Sequence, residues 1–167
     1  QSAANALNDA RQIVGFAEES GGRRRALVWE GSVRTFLDSS ETADSNALDL
    51  NAEGCVVGWI QDQDGVKRAV AWPNAAEGTA IDLNALLPAA SNWVLHEATA
   101  ISDTGEIAGT GTLNDIEMAF ILSPDWSMLY PHVSIEHPLE NDILVQGSPI
   151  TVRMRAVAFG SGIANVR

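Results

Sequence analysis

One phrase is written three times in this chain. It reads ANALNDARQIVG at residues 4–15, ALDLNAEGCVVG at 47–58 and ATAISDTGEIAG at 98–109. Aligned without gaps, an Ala opens each copy (Ala4, Ala47, Ala98), and an aliphatic residue follows three places on (Leu7, Leu50, Ile101). A small polar residue comes next (Asn8, Asn51, Ser102), then a β-branched residue five places later (Ile13, Val56, Ile107), and each copy closes on glycine (Gly15, Gly58, Gly109). The likeness runs on into Ala26-Leu-Val-Trp29, Ala69-Val-Ala-Trp72 and Ala119-Phe-Ile-Leu122. Such a chain must fold as copies of one small unit that bury their faces on each other, because each unit is too small to bury its own.

The interval and the residue types select the unit. The opening Ala residues stand 43 and then 51 residues apart. A period in the low forties without helical periodicity has the size of a four-stranded propeller blade. The first strand covers the Ala-to-Leu segment. A turn follows at Asn8-Asp9, Asn51-Ala-Glu-Gly54 and Ser102-Asp-Thr-Gly105, rich in residues that suit tight turns. The second strand is expected over 12–17, 55–60 and 106–110, short and β-branched. A polar hairpin follows, with Gly21-Gly22 or Asp64-Gly65, and leads to a third strand over 25–29, 68–72 and 118–122. A fourth strand fits Val33–Asp38 and Thr79–Leu83, and is missing or altered in the last copy, where Ser123-Pro-Asp intervenes. Blades packed between neighbours need near-continuous small and branched residues, as seen here. The repeat glycine permits a bulge or the close approach of another backbone. The longer second interval is explained by an insertion at 84–95.

The pattern changes after Tyr130-Pro131. Ile150, Val152, Met154 and Ala156 alternate with Thr151, Arg153 and Arg155, which predicts strands with one wet face, as in a sandwich. Gly160-Ser-Gly162 reads as a turn and 163–166 as the start of a further strand. A sandwich takes about seven strands, so this one is cut short or completed from outside the sequence. The expected fold is therefore all-β. Propeller-like blades occupy residues 1–128, about three four-stranded units near 3–44, 45–84 and 97–124 in an incomplete array, and a partial sandwich occupies 129–167.

Two resemblances attach to these residues. The units ANALNDARQIVGF…RRALVWEG and IDLNALLPAASNWVLHEATAISDTGEIAGTG…MAFILSP resemble the bacterial HAF-repeat family over residues 3–124. The segment from Asp82-Leu-Asn through Leu86-Leu-Pro88 and Trp93 to Ala98-Thr-Ala-Ile looks like the closing stretch of such arrays. The resemblance implies a propeller-like, secreted or surface-bound bacterial protein. The chain departs from the triplet that names the family, since Ala119-Phe120 follows Met118 where a His would stand. Residues 131–167 resemble the opening of a bacterial immunoglobulin-like domain of the kind strung along secreted enzymes and adhesins.

Charge narrows the partners. A formal charge of −12 opposes nucleic acid and anionic lipid and leaves cations open as ligands. No run approaches the ~20 apolar residues of a membrane span. The single Cys, Cys55, stands where the other copies hold Gln12 and Glu106, so the repeat does not demand a thiol. Gln1 lies three residues before the first copy, and the chain reads as a processed or excised piece of a longer protein.

Candidate sites are few. Asp62 and Asp64, in Asp-Gln-Asp-Gly65, supply two oxygens of a half calcium loop, and Ca2+ is the one metal on offer. The other reading is an Asp-Gly hairpin turn, and the acids are not shared by the other copies. His96, His132 and His137 lack zinc spacing. Arg23-Arg24-Arg25 sits at a hairpin tip and is expected to pair with acids such as Glu18 and Glu19. Trp29 and Trp72 are repeat-phased and read as core. Trp59 and Trp93 are candidate ligand residues, as aromatic platforms that stack on sugar faces; Trp126 falls at the domain junction. No nucleophile elbow, phosphate loop or Cys–His signature occurs. The chain is therefore expected to be a non-catalytic extracellular or cell-surface module that binds a protein or a glycan. The alternatives are a structural subunit of a larger extracellular assembly or filament, and the accessory region of a secreted hydrolase. Further copies of the chain, or neighbouring domains of a longer one, complete the expected partners.

Overall fold

The repeated glycine shows how the phrase folds. Each pairs with the Ala that opens its own copy: Gly15 with Ala4, Gly58 with Ala47 and Gly109 with Ala98. A register shift follows each Ala, so that Asn5, Leu48 and Thr99 are bulged out of the ladder. The bulge presses the paired strand onto the glycine. A Cβ there would sit 2.0 Å from the Ala3 carbonyl oxygen, 2.0 Å from that of Asn46 and 2.1 Å from that of Glu97. The three copies thus solve one steric problem in one way, and no other residue type fits the site.

The computed structural model describes residues 1–37, 43–88, 90–124 and 163–166. They form an all-β architecture of three four-stranded antiparallel sheets. The first is a meander of β1 (Ser2–Leu7), β2 (Gln12–Glu18), β3 (Arg24–Glu30) and β4 (Val33–Phe36). The second repeats it with β5 (Asp44–Leu50), β6 (Val56–Gln61), β7 (Lys67–Trp72) and the two-residue β8 (Ile81–Asp82). The third has β9 (Trp93–Ile101), β10 (Ile107–Leu113) and β11 (Ile116–Pro124), with β12 (Ile163–Val166) paired to β11 at its edge. The fourth position of the third sheet is therefore filled from a distant part of the chain. Sequence reading placed 163–166 in the sandwich. The rest of the sandwich at 129–167, with His132 and His137, lies outside the described residues, as does Trp126. The described residues belong to one compact unit, Gln1–Pro124 with Ile163–Arg167.

The sheets stack. β5 lies across β1, β2 and β3, and β9 lies across β5, β6 and β7. Each sheet has a leading face, toward the next sheet, and a trailing face, toward the one before. The leading residues Val14, Ala26, Val28 and Leu37 of the first sheet pack on the trailing residues Leu50, Val56, Val70 and Trp72 of the second. The leading residues Val57, Ala69, Ala71 and Leu83 of the second pack on Leu95, Ala98, Phe120 and Leu122 of the third. Small residues on one side face large ones on the other, which lets two pleated surfaces approach closely. Leu37 and Leu83 each follow a fourth strand and fill equivalent gaps. Trp72 is fully buried, whereas Trp29, at the same repeat position on the trailing face of the first sheet, is half-buried.

The insertion between the second and third sheets opens on a short helical turn. A 3-10 turn, Leu83–Leu86, starts at Asp82, whose carboxylate accepts the Asn84 N–H at 2.9 Å. The Asn84 amide then clamps Leu95, accepting its N–H at 2.7 Å and donating to its carbonyl at 2.9 Å. This holds β9 beside the turn.

Candidate functional site

The turns at one end of the stack come first, because they absorb the polar residues of the repeat. Asn8 Oδ1 accepts the Gln12 N–H at 3.1 Å, Asn51 Oδ1 that of Cys55 at 2.9 Å, and Ser102 Oγ that of Glu106 at 3.0 Å. In each turn the residue three places after the Asn or Ser has a positive φ: Arg11 at 64°, Gly54 at 81° and Gly105 at 81°. Glycine takes this conformation freely; Arg11 takes it against the steric cost of its Cβ. The turns are bonded to one another across the stack. Asn8 Nδ2 donates to the Asn51 carbonyl at 3.0 Å, and Ala52 N–H donates to Asp103 Oδ1 at 2.9 Å. Lower in the stack, Asn5 Nδ2 donates to the Ala47 carbonyl and the Ile101 N–H to Asp49 Oδ2, at 2.7 and 2.8 Å.

Beside this end lies a cavity of about 360 Å³, open to solvent, between the first two sheets. Its walls come from β3 and β4, from the turn at Glu53-Gly54 and from the loop after β7, Pro73–Ala76. Polar groups reach it from Gln12, Glu30, Thr35, Glu53 and Asn74, with Val28 and Val33 as the apolar floor and rim. Gln12 is held there by Asn8 Nδ2, which donates to its Oε1 at 2.9 Å, and Asn74 by Glu77, whose Oε1 accepts from Nδ2 at 2.8 Å. The lining offers carboxylates, amides and a hydroxyl, and no aromatic ring. Sequence reading did not find it, because its residues come from four separated segments that only the stacking of two copies brings together.

The residues singled out from the sequence lie elsewhere. Asp62 forms the hairpin turn: Oδ1 accepts the Asp64 and Val66 N–H groups at 3.1 and 3.0 Å, and Oδ2 pairs with Arg68 at 3.2 Å. Its oxygens are engaged inside the protein, while Asp64 is exposed at the tip. Among the described residues no group of three or more His, Cys, Asp or Glu is placed to hold a metal ion. Trp59 is 6% exposed, and the Lys67 ammonium stands 4.2 Å from its ring centroid, so this ring offers no open platform. Burial between the second and third sheets is the physical reason. Trp93 is half-buried and meets Phe120 edge-on, with centroids 6.4 Å apart and planes at 78°. The structure does not bring Trp59 and Trp93 into the cavity.

Charged groups at the other end pair locally. Glu19 bonds Arg25 at 2.9 Å and also Arg23, and these two guanidinium groups, Arg25 foremost, hold its carboxyl below the usual range. Arg24 and Arg25 also lie over Phe16 and Phe36, 5.0 and 4.3 Å from the centroids. His96 packs with Nδ1 3.4 Å from the Lys67 carbonyl. Burial, with the Glu53 charge nearby, pushes the Cys55 thiol up to about 11. Among the described residues no helix is long and apolar enough to cross a membrane.

Comparison with family models, with curated proteins and with solved structures returned no match.

Proposed function

We propose that this chain is a non-catalytic extracellular or cell-surface module that binds a protein or glycan partner in the cleft between its first two sheets. One observation carries the reading. The cleft gathers the Glu30 and Glu53 carboxylates, the Gln12 and Asn74 amides and the Thr35 hydroxyl around one open cavity of about 360 Å³. A few fixed polar groups around an apolar floor are the usual make-up of a ligand site. This set suits a basic side chain of a protein partner, or the hydroxyl groups of a sugar held edge-on by hydrogen bonds. The net charge of −12 favours a cationic partner at long range. The propeller-like and bacterial extracellular parts of the reading rest on the resemblance of residues 3–124 to HAF repeats, and the front-to-back stacking of four-stranded meanders is consistent with it.

The test is a binding screen of the intact chain against glycan and Lys/Arg-rich peptide arrays, with Glu30→Gln and Glu53→Gln alongside. Binding that weakens at least tenfold in either variant supports the cleft. Absence of any ligand, or binding indifferent to both variants, removes it.

A further inference from the structure

The two ends of the stack can be compared, position by position, with the interfaces inside it. Leu7, Leu50 and Ile101 occupy one repeat position on the trailing face. Leu50 is 6% exposed under the first sheet and Ile101 packs on the second, but Leu7 is 70% exposed. Its neighbours Ile13 and Trp29, paired with one another across β2 and β3, are half-buried. At the other end Val28, Ala71 and Ile121 occupy one position on the leading face, opposite Val14, Val57 and Ala108. Val28 and Ala71 are buried beneath the next sheet, while Ile121 is 50% exposed. Among the described residues the first sheet is thus exposed at Leu7 on its trailing face and the third at Ile121 on its leading face, at the positions that the two interfaces within the chain cover.

Charge adds direction. Inside the stack, each leading face carries a cation over an aromatic ring, Arg24 over Phe16 and Lys67 over Trp59. At the second interface the following first strand answers it with an acid, Glu97, 3.8 Å from Lys67 Nζ; at the first, Asp44 Oδ1 accepts the backbone N–H of Arg24 at 3.1 Å. On the open leading face the same two positions hold Thr110 and Glu117, so the sign is reversed. The trailing face of the first sheet carries Arg34 beside Trp29, and Arg25, whose charge is already met by Glu19. Arg34 on the one face and Glu117 on the other are of opposite sign.

We propose that the trailing face of the first sheet docks the leading face of the third sheet of a second copy, continuing the stack from chain to chain. Such a contact is heterologous. Each copy keeps one free face after pairing, so the assembly grows until it closes into a ring or extends as a filament. The contact goes beyond the cleft reading and is independent of it, since neither Leu7 nor Ile121 lines the cavity.

The test uses the intact chain and two variants, Leu7→Lys and Ile121→Lys, each at an exposed site and each checked by its thermal melt. Mass is followed by analytical ultracentrifugation over a wide range of concentration. The wild type should rise in mass with concentration, and each variant alone should stay at the monomer mass. An equimolar mixture of the variants should reach twice the monomer mass and stop, because Leu7→Lys retains a sound leading face and Ile121→Lys a sound trailing face. A wild type that stays monomeric overturns the proposal. So does either variant assembling as the wild type does, which would point to a different or back-to-back contact, and so does a mixture that fails to pair.

Discussion

Replacing Gly58 with Ala probes the repeat at its tightest point. The new Cβ would lie 2.0 Å from the Asn46 carbonyl oxygen, 3.0 Å from its carbon and 3.1 Å from the Ala47 Cα. Ordinary contact begins near 3.4 Å, so β5 would have to retreat by roughly 1.4 Å. A Cβ cannot rotate away, and every obstacle is backbone. Overpacking costs about 1–3 kcal/mol in general, and this rigid case belongs at the upper end. The stiffer unfolded chain returns about 0.4–1 kcal/mol. The net loss is about 2 kcal/mol or more, a fall in Tm of about 4–8 °C for a chain of this size. The control is Gly31→Ala, at φ 59° with nothing within 4 Å, where only the left-handed backbone is penalised; the expected loss is ~1 kcal/mol. Thermal and urea unfolding followed by circular dichroism measure both. A Gly58→Ala protein that melts at or above the wild type would refute the bulged apposition of β5 on β6.

Further outcomes follow from the turns and the thiol. Arg11→Gly should raise stability by about 0.5–1 kcal/mol, because the other two copies hold Gly at the same positive φ; a lower Tm would contradict this. Asn51→Ala should cost about 1–2 kcal/mol by urea titration, since the buried Oδ1 accepts the N–H groups of both Glu53 and Cys55. Native Cys55 should react with iodoacetamide at neutral pH about a hundredfold more slowly than the unfolded chain, as its thiol is raised to about 11. The sign of its pH linkage follows from the same shift. Cys55 favours the fold below the titration of a free thiol, and that contribution is lost as pH rises from there toward about 11. Urea midpoints measured from neutral to alkaline pH should fall over that window in the wild type and fall less in Cys55→Ser.

The sequence showed the fold where one residue answers to one neighbour within its own copy. The repeat glycine, the Asn or Ser turn and, in the first two copies, the third-strand Trp recur because each solves a local problem of pleat, turn or core. The strands followed from them. Contacts between copies were less legible: nothing in the phrase says that Asn8 donates to the Asn51 carbonyl or that Trp59 is sealed under Lys67. An aromatic next to the repeat glycine reads equally well as platform or core until the next sheet is placed on it. The fourth strand of the third sheet was hidden for a different reason. Ser123-Pro124 ends the local pattern, and its edge partner Ile163–Val166 is separated from it in sequence by a segment of another character. The cleft was invisible because Glu30, Glu53 and Asn74 lie in separate segments and are brought together only by stacking.

The central claim is that each copy of the phrase makes one sheet and that the sheets stack in sequence order. Methyl-to-aromatic nuclear Overhauser effects in labelled protein test it most directly. The Trp72 ring should show contacts to the methyls of Val14, Ala26 or Val28, and the Phe120 ring to those of Val57, Ala69 or Ala71. A Trp72 ring that instead contacts the third sheet, or rings that see only their own strands, would contradict the stack.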